Sequence, residues 1–255
     1  MPSGVPQNDK GVIYMAKKNK KTRYYDYSAN PFYIKFFKFL YWLNKDLRNI
    51  MKNGRLFNEY GVTLFAGKQG AGKTMAMVEY LERMRVLYPK ALIYTNFGYI
   101  HQHGVFKDWR DFFDIRNGED GVIFAVDELQ NEFQSTEWKN FPPALLSELT
   151  QQRKQKIKIV STSQVFTRVS KPIREQTYEV VECYTFKNRW TFTKCFDAQE
   201  YEAVIQNPML KNKLHRLWRR NFVQNDKIRN LYDSYAKIER MKNTEYLPHN
   251  ERLVD

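Results

Sequence analysis

The octapeptide GKQGAGKT at residues 67–74 follows the apolar run VTLFA at residues 62–66 and opens a helical stretch that reaches residue 87. A strand, a glycine-rich turn and a helix in this order predict a phosphate-binding loop, because the turn aims backbone N–H groups inward and the helix adds its positive end. Lys73 would neutralise the β and γ phosphates, and Thr74 would ligate Mg²⁺. The predicted ATP-binding residues are Gly67, Lys68, Gln69, Gly70, Ala71, Gly72, Lys73 and Thr74.

Two carboxylates follow a second buried strand, since the run VIFAV at residues 122–126 ends directly before Asp127 and Glu128. Ligands of open α/β sheets bind at the carboxyl ends of the strands. Asp127 would hold Mg²⁺ through water, and Glu128 would be the general base that deprotonates the attacking water. An exposed Asp-Glu pair that begins a helix is the alternative, and the loop upstream weighs against it.

A third predicted buried strand, at residues 157–162, leads into Ser163 and Gln164. In the additional-strand class of P-loop ATPases, this strand lies between the strand before the loop and the strand before the carboxylates. Gln164 would then contact both the γ-phosphate and the catalytic water. A simple polar end to a core strand is the alternative.

The remaining pattern predicts an α/β fold, namely an additional-strand P-loop core with a mostly parallel sheet. Further expected elements are a strand at residues 91–95, helices at 108–113 and 143–153, and a hairpin at the sheet's edge from runs at 178–186 and 190–196. We divide the chain into a basic arm with an amphipathic helix (1–58), an ATPase domain (59–198) and a helical, basic C-terminal segment (199–255).

The amphipathic helix, expected at residues 32–52, has a basic and an apolar side. The basic residues are Lys35, Lys38, Lys45, Arg48 and Lys52, and the apolar ones are Phe36, Phe39, Leu40, Leu43, Leu47 and Ile50. Two interpretations stay open. The apolar side packs on the ATPase core, or the helix docks on an anionic membrane or a partner helix.

The composition gives a formal net charge of +14 and a pI near 9.6, which favours a polyanionic partner such as nucleic acid or an anionic membrane surface. The only two cysteines, Cys183 and Cys195, have neither the spacing of a zinc site nor the number of a disulfide framework. Because no run reaches the roughly 20 apolar residues that span a bilayer, we expect a cytoplasmic or peripheral protein. Residues 1–14 precede a second methionine, Met15, which is followed by Ala16-Lys17-Lys18 and resembles a natural start. Two interpretations of residues 1–14 stay open, a leader or a stretch upstream of that start, and no prediction rests on them.

The order of these motifs resembles the zonula occludens toxin-like ATPases of filamentous phages. The quoted motifs are the loop, Tyr94-Thr95-Asn96, residues 126–130, Gln152-Arg153, residues 161–164 and Ile173-Arg174. More broadly it resembles the FtsK/HerA superfamily of DNA-pumping ATPases, which includes small viral genome-packaging enzymes. The resemblance covers roughly residues 60–185, and the chain departs from the toxin-like pattern in lacking a transmembrane helix after the ATPase domain.

This resemblance implies a ring of five or six subunits with ATP at the junctions and an arginine finger from a neighbour. Arg153 and Arg174 are the candidates, and either could instead be an ordinary surface residue. The leading hypothesis is a Mg-ATP-driven motor that moves double-stranded DNA without sequence preference and packages a phage genome, with a procapsid or portal as partner. The alternatives are a membrane-associated phage-assembly ATPase and a nucleotide-switched interaction module, which would need no water-activating base.

Overall fold

The computed structural model describes residues 31–107, 110–129 and 151–232, and the chain divides into two units, Met1–Gly54 and Arg55–Asp255. The first unit contains α1 (Phe32–Asn53), as the sequence predicts. This helix begins after Pro31 and ends at Gly54, whose φ of +81° lies in the left-handed region and whose N–H bonds the Ile50 carbonyl. Among the described residues, no helix has the length and apolarity to cross a bilayer.

The second unit is built on one mixed sheet, which has eight strands in the described part of the chain. The strands are β1 (Gly61–Ala66), β2 (Leu92–Thr95), β3 (Gly104–Val105), β4 (Val122–Val126), β5 (Ile157–Ser163), β6 (Thr177–Phe186), β7 (Trp190–Asp197) and β8 (Arg216–Val223). The helices are α2 (Lys73–Leu87), α3 (Asp111–Asp114), α4 (Gln152–Gln155), α5 (Lys171–Gln176), α6 (Ala198–Gln206) and α7 (Asp226–Arg229). Short 3-10 turns occupy Gly118–Asp120, Phe166–Arg168 and Pro208–Lys213.

The strand order is β3-β2-β4-β5-β1-β6-β7-β8. β5 pairs in parallel with both β1 and β4, so the predicted insertion of a strand between the other two is confirmed. In the register, Ser163 of β5 lies beside Ala66 of β1, and Ser161 of β5 lies beside Val126 of β4. The glycine loop, the two carboxylates and Gln164 therefore all emerge at the same edge of the sheet.

Two apolar clusters cover the two faces of the sheet. On one face Met77 and Leu81 of α2 pack with Ile93 and Ile123, and all four are almost fully buried. On the other face Phe124 contacts Phe106 and Phe112, with Leu64 and Ile159 in the same cluster. Burial on both faces explains why β4 is a continuous apolar run and why every residue of β5 is buried, Lys158 included.

The structure corrects two sequence expectations. Residues 216–223 form β8 within a segment predicted to be helical, and β8 pairs with β7, so the confirmed β6–β7 hairpin does not lie at the edge of the sheet. Trp218 and Phe222 of β8 pack against the core cluster that contains α2. Three arginines in RLWRRNFV, which are good helix formers, hide the alternating apolar positions of this strand.

Several other expectations concern residues that are only partly described. The described residues do not include the basic arm, which precedes residue 31, or the end of the C-terminal segment, at 233–255. They also do not include the span 130–150, which holds most of the helix predicted at 143–153. Of the helix predicted at 143–153, only the C-terminal end is described, and it lies within α4 (Gln152–Gln155). The short helix expected at 108–113 is described from Asp111, since 108 and 109 lie outside the described ranges.

Candidate active site

The glycine loop connects β1 directly to α2, and Gly72 occupies the N-cap position of that helix. Gly72 has φ +82°, and a Cβ there would collide with the hydroxyl of Thr185 and lie 3.1 Å from that of Thr191. Only glycine fits this position for both reasons. The Lys73 ammonium donates to the Lys68 carbonyl at 3.1 Å, so the side chain folds back over its own loop.

Asp127 lies directly after β4 and meets the start of α2. One of its carboxylate oxygens accepts from the Thr74 hydroxyl at 3.1 Å and from the Thr162 hydroxyl at 2.6 Å. In the predicted arrangement Thr74 ligates Mg²⁺ directly and Asp127 holds it through a bound water, so the two side chains must lie side by side. The 3.1 Å hydrogen bond between the Thr74 hydroxyl and the Asp127 carboxylate fits this arrangement.

Glu128 adopts φ +52°, the left-handed region that a glutamate rarely occupies. A non-glycine residue held there carries a backbone strain of the order of 1–3 kcal/mol, which persists only where the surroundings impose it. The Glu128 N–H donates to the Thr162 hydroxyl at 2.8 Å, while that hydroxyl donates onward to Asp127. Thr162, fully buried at the end of β5, thus fixes both carboxylate residues.

Asn96, after β2, fixes the same turn from the other side. Its side-chain oxygen accepts from the Asp127 N–H at 2.7 Å, and its amide nitrogen donates to the Asp127 carbonyl at 3.2 Å. Asn96 and Thr162 lie within motifs of the sequence, but the motifs predict no role for either residue. The signal that could have found them is positional, because each follows or ends a strand adjacent to β4.

A phosphate cleft of about 310 Å³ opens beside the glycine loop. Its loop-side lining comprises Gly70, Gly72, Lys73, Thr74 and Met75. The opposite wall comes from the antiparallel strands and from α7, and includes Arg229 and Tyr232. Burial raises the pKa of Tyr232, and the negative charge of Asp127 raises it further, which places this phenol within electrostatic reach of the carboxylate.

A chain of hydrogen bonds links Arg229 to the glycine loop. The Arg229 guanidinium donates to Gln224 Oε1 at 3.1 and 3.2 Å and to the Asn188 carbonyl, and Gln224 Nε2 donates to Thr191 at 2.8 Å. Thr185 donates to the Ala71 carbonyl at 2.9 Å. Since the Thr185 proton is used there, Thr191 must be the donor in the 2.9 Å Thr185–Thr191 bond.

Comparisons with known proteins place this geometry in a wider group. No family model matches the chain, and no curated protein does. Among solved structures, the N-terminal domain of zonular occludens toxin from Neisseria meningitidis matches with a TM-score of 0.52 at 16% identity, over 69% of this chain and 100% of that one. The chain has a P-loop NTPase fold.

Two further solved structures match with lower scores. The genome packaging NTPase B204 from Sulfolobus turreted icosahedral virus 2 has a TM-score of 0.43 at 14% identity, over 55% of this chain and 93% of that one. The cytoplasmic domain of the Type VII secretion ATPase EccC from Thermomonospora curvata has a TM-score of 0.40 at 12% identity, over 54% of this chain and 22% of that one. Of the kinds of protein named in the sequence resemblance, a zonular occludens toxin domain shares this fold.

Gln164 lies on the other side of the loop of this P-loop NTPase fold. It is half-buried and lines an outer cavity of about 1010 Å³, together with Gly67 and Lys68 of the loop and Phe166. Its position at the end of β5, next to the β1 end, is the one predicted from the sequence. Its role as a sensor stays a prediction.

The two predicted arginine fingers lie in different places. Arg153 belongs to α4, before β5, and its guanidinium lies 5.5 Å from the ring centroid of Tyr60, which precedes β1, so it is at the sheet edge opposite the loop. Arg174 is half-buried, 3.5 Å from the Glu202 carboxylate, and packs over Phe166. Neither is part of the phosphate cleft of its own chain, and a contribution to a neighbour's site stays a prediction.

The two cysteines lie on β6 and β7, and both are buried and unbridged. Burial raises the pKa of the Cys183 thiol to about 12, although the positive charge of Lys73 acts in the opposite direction. A thiol that stays protonated at neutral pH is a poor nucleophile. The chemistry of the site therefore rests on its carboxylates, hydroxyls and cations.

Proposed function

We propose that the chain binds Mg-ATP and hydrolyses it. The observation that supports this best is the meeting of Thr74 and Asp127, 3.1 Å apart, beside the glycine loop. Mg²⁺ bound with ATP would be held by Thr74 directly and by Asp127 through water, and would withdraw charge from the β and γ phosphates. Lys73 would exchange its bond to the Lys68 carbonyl for the terminal phosphates.

Hydrolysis, and not only binding, is favoured by Glu128. This carboxylate follows the metal-binding Asp127 by one residue, and its backbone is held in a strained conformation by Thr162. Imposed strain at a carboxylate is typical of sites where that side chain must take one orientation. Glu128 would deprotonate the attacking water, while Gln164 would sense the γ-phosphate. A nucleotide-switched interaction module would need neither.

The proposed work of this ATPase is to move DNA. The net charge of +14 provides contacts to phosphates, which bind nucleic acid without reading its sequence. The resemblance to phage and viral motors adds genome packaging, with double-stranded DNA as the expected track and a procapsid or portal as the expected partner. The expectations that the DNA is a duplex and that the partner is a capsid rest on the resemblance alone.

The motor would act as a homo-oligomeric ring of five or six subunits. Arg153 or Arg174 would then reach a neighbour's ATP, and turnover per subunit would rise with protein concentration. Mixing tests this: Arg153→Ala or Arg174→Ala subunits are combined with Glu128→Gln subunits, which retain both arginines. Activity regained in a mixture supports a finger in trans, and no gain with either variant rejects both assignments.

A membrane-associated assembly ATPase is the second candidate, and α1 is the observation that favours it. The helix exposes Phe32, Phe36, Phe39 and Leu43 on one side and carries lysines on the other. Such a helix lies in the interface of an anionic membrane with its apolar side inward. Under this hypothesis, neutralising Lys35, Lys38 and Lys45 abolishes vesicle binding.

One experiment separates these functions. ATP turnover of the full chain is measured with duplex DNA, single-stranded DNA and anionic phosphatidylserine vesicles, at about 50 and 200 mM salt, with the oligomer confirmed by sizing. A DNA motor is stimulated by DNA, and its binding weakens by orders of magnitude with salt if about six or more phosphates are contacted. Stimulation by vesicles alone rejects the motor and leaves the ATPase in place. No turnover under any condition rejects hydrolysis.

A further inference from the structure

The antiparallel strands β6, β7 and β8 expose a face that carries four aromatic rings. Tyr184, Phe186 and Trp190 are 61%, 47% and 45% exposed, and Phe192 is half-buried. The strand register pairs Tyr184 with Phe192 and Phe186 with Trp190, so the rings form a block of two by two on one side of the hairpin. We call these four residues the aromatic face.

The rings of this face are held in place. Trp190 and Phe192 lie with their centroids 4.9 Å apart and their planes 35° from parallel. The Trp190 indole N–H donates to the Asn221 side chain at 3.1 Å, which fixes the orientation of its ring. Large aromatic side chains that remain exposed yet ordered usually mark a binding surface.

Positive charge surrounds the aromatic face. Lys187 lies 5.6 Å from the centroid of Phe186, and Lys194 and Arg219 are exposed on the same side of β7 and β8. Lys194 and Arg219 are direct cross-strand partners, an arrangement that is unfavourable unless an anion lies between them. The acidic residue on this side, Glu182, is the other cross-strand partner of Lys194 and accepts from the Tyr201 hydroxyl.

We propose that the aromatic face binds single-stranded nucleic acid. Unpaired bases would stack on the rings, and the phosphates would contact Lys187, Lys194 and Arg219. A duplex keeps its base faces stacked inside and cannot use the rings. The proposal rests on the DNA motor proposed above and replaces the duplex expected there, which only the resemblance supports, with a single strand.

The position of the face explains how a bound strand would affect ATP. Tyr184, Phe192 and Lys194 line the outer cavity, and Gln164 and Lys68 line the same cavity from the side of the glycine loop. A nucleotide stacked at this end of the face would lie next to the residue proposed to sense the γ-phosphate. Strand binding at the aromatic face should therefore change the rate of hydrolysis.

The test measures binding of a fluorescein-labelled 20-nucleotide oligothymidylate by anisotropy, with a labelled 20-base-pair duplex as the competing form. The double variant Phe186→Ala/Trp190→Ala should bind the oligothymidylate at least about tenfold more weakly. Trp190→Phe, which keeps a ring, should bind nearly as well as the wild type. Tyr178→Ala is the matched control, because Tyr178 is a 54% exposed aromatic residue at the other end of β6.

The outcomes separate this inference from the proposed function. If the double variant binds oligothymidylate like the wild type, or loses duplex affinity to the same extent, the inference is wrong. If it binds normally but loses self-association on sizing, the face is a contact between copies of the chain, which also overturns the proposal. If oligothymidylate binding is lost as expected while no DNA changes turnover, the aromatic face stands and the motor does not. Unchanged melting temperatures check that the variants fold.

Discussion

In the parallel half of the sheet, from β2 to β1, the functional side chains follow the ends of buried strands, whereas in the antiparallel extension, from β6 to β8, they lie along the strands themselves. Asp127 and Gln164 illustrate the first arrangement, and Thr185 and Trp190 the second. The parallel half is covered on both faces, so only its carboxyl edge is available for chemistry. The extension has one face turned to the core and the phosphate cleft, and one exposed.

The two halves of the sheet therefore contribute different groups to one reaction. The parallel half supplies the groups that would contact Mg²⁺ and the attacking water. The extension supplies the wall of the phosphate cleft through Gln224 and Arg229, and reaches the loop itself through Thr185. If this comparison is right, changes at the carboxyl edge stop the chemistry, and changes in the extension weaken the binding of ATP or of a strand.

Lys73→Ala has the largest expected effect. The loop loses the one side-chain charge that reaches the terminal phosphates, so binding and turnover of ATP should both fall below detection. Fluorescence titration with a labelled ATP analogue and a phosphate-release assay measure the two. Lys90→Ala, an exposed lysine near the end of α2, is the control and should behave like the wild type. Turnover in Lys73→Ala would mean that the glycine loop, which belongs to the parallel half, is not the centre of the ATP site.

Glu128→Gln separates chemistry from binding within the same edge. Glutamine keeps the size of the side chain and cannot accept the proton of water, so kcat should fall about 10²-fold or more while the Kd for Mg-ATP changes little. Glu119→Gln is the matched control, since that carboxylate is exposed and lies before β4, whereas Glu128 lies after it. Wild-type turnover in Glu128→Gln would exclude this residue as the base.

Arg229→Ala tests whether the extension takes part in ATP binding. A charged hydrogen bond is worth about 1.5–3 kcal/mol, so its loss should raise the KM for ATP roughly tenfold to a hundredfold, with a smaller effect on kcat. Lys227→Ala removes a charge from the same short helix at an exposed position and should leave KM unchanged. Equal KM values in the two variants would show that Arg229 holds Gln224 in place and does not contact ATP.

The two halves also differ in how far the sequence predicts them. The glycine loop, Asp127 and Glu128 follow from apolar runs that end in polar residues, a pattern that local sequence displays directly. The insertion of β5 follows from the additional-strand class that these motifs indicate. β8 could not be predicted in this way, because its pairing partner β7 and the cluster that buries Trp218 are contributed from elsewhere in the chain. Strand propensity depends on such partners more than helix propensity does.

The hydrogen bonds that position Arg229 could not be predicted from the sequence, for a related reason. Thr185, Thr191, Gln224 and Arg229 are separated by as many as 44 positions, and their hydrogen bonds exist only after the hairpin and β8 have paired. Each residue alone is an unremarkable polar side chain. The aromatic face was similarly visible only as a β-rich run, since the register is needed to show that its four rings share one side.

The smallest expected effect concerns Lys158, which joins the two halves near the start of β5. Burial lowers the pKa of Lys158, while the carboxylates of Glu179 on β6 and of Glu59 act in the opposite direction. In the unfolded chain this pKa is near its ordinary value of about 10.4. Between the lowered folded pKa and that value the unfolded chain binds more protons, so the contribution of Lys158 to the free energy of unfolding increases with pH.

Lys158→Met should remove this pH dependence. Methionine has a similar length and no charge to bury, so the variant should be as stable as the wild type or more stable near pH 7, and the difference in Tm should shrink by a few degrees or less towards pH 10. Calorimetry at several pH values measures it. Tyr80, whose pKa burial raises, contributes with the opposite sign at higher pH, but it is common to both chains and cancels in the difference. A Tm difference that does not vary with pH would mean that Lys158 acts only through its 2.9 Å hydrogen bond to the Tyr60 carbonyl. It would also mean that Lys158 is not a buried charge between the two halves of the sheet.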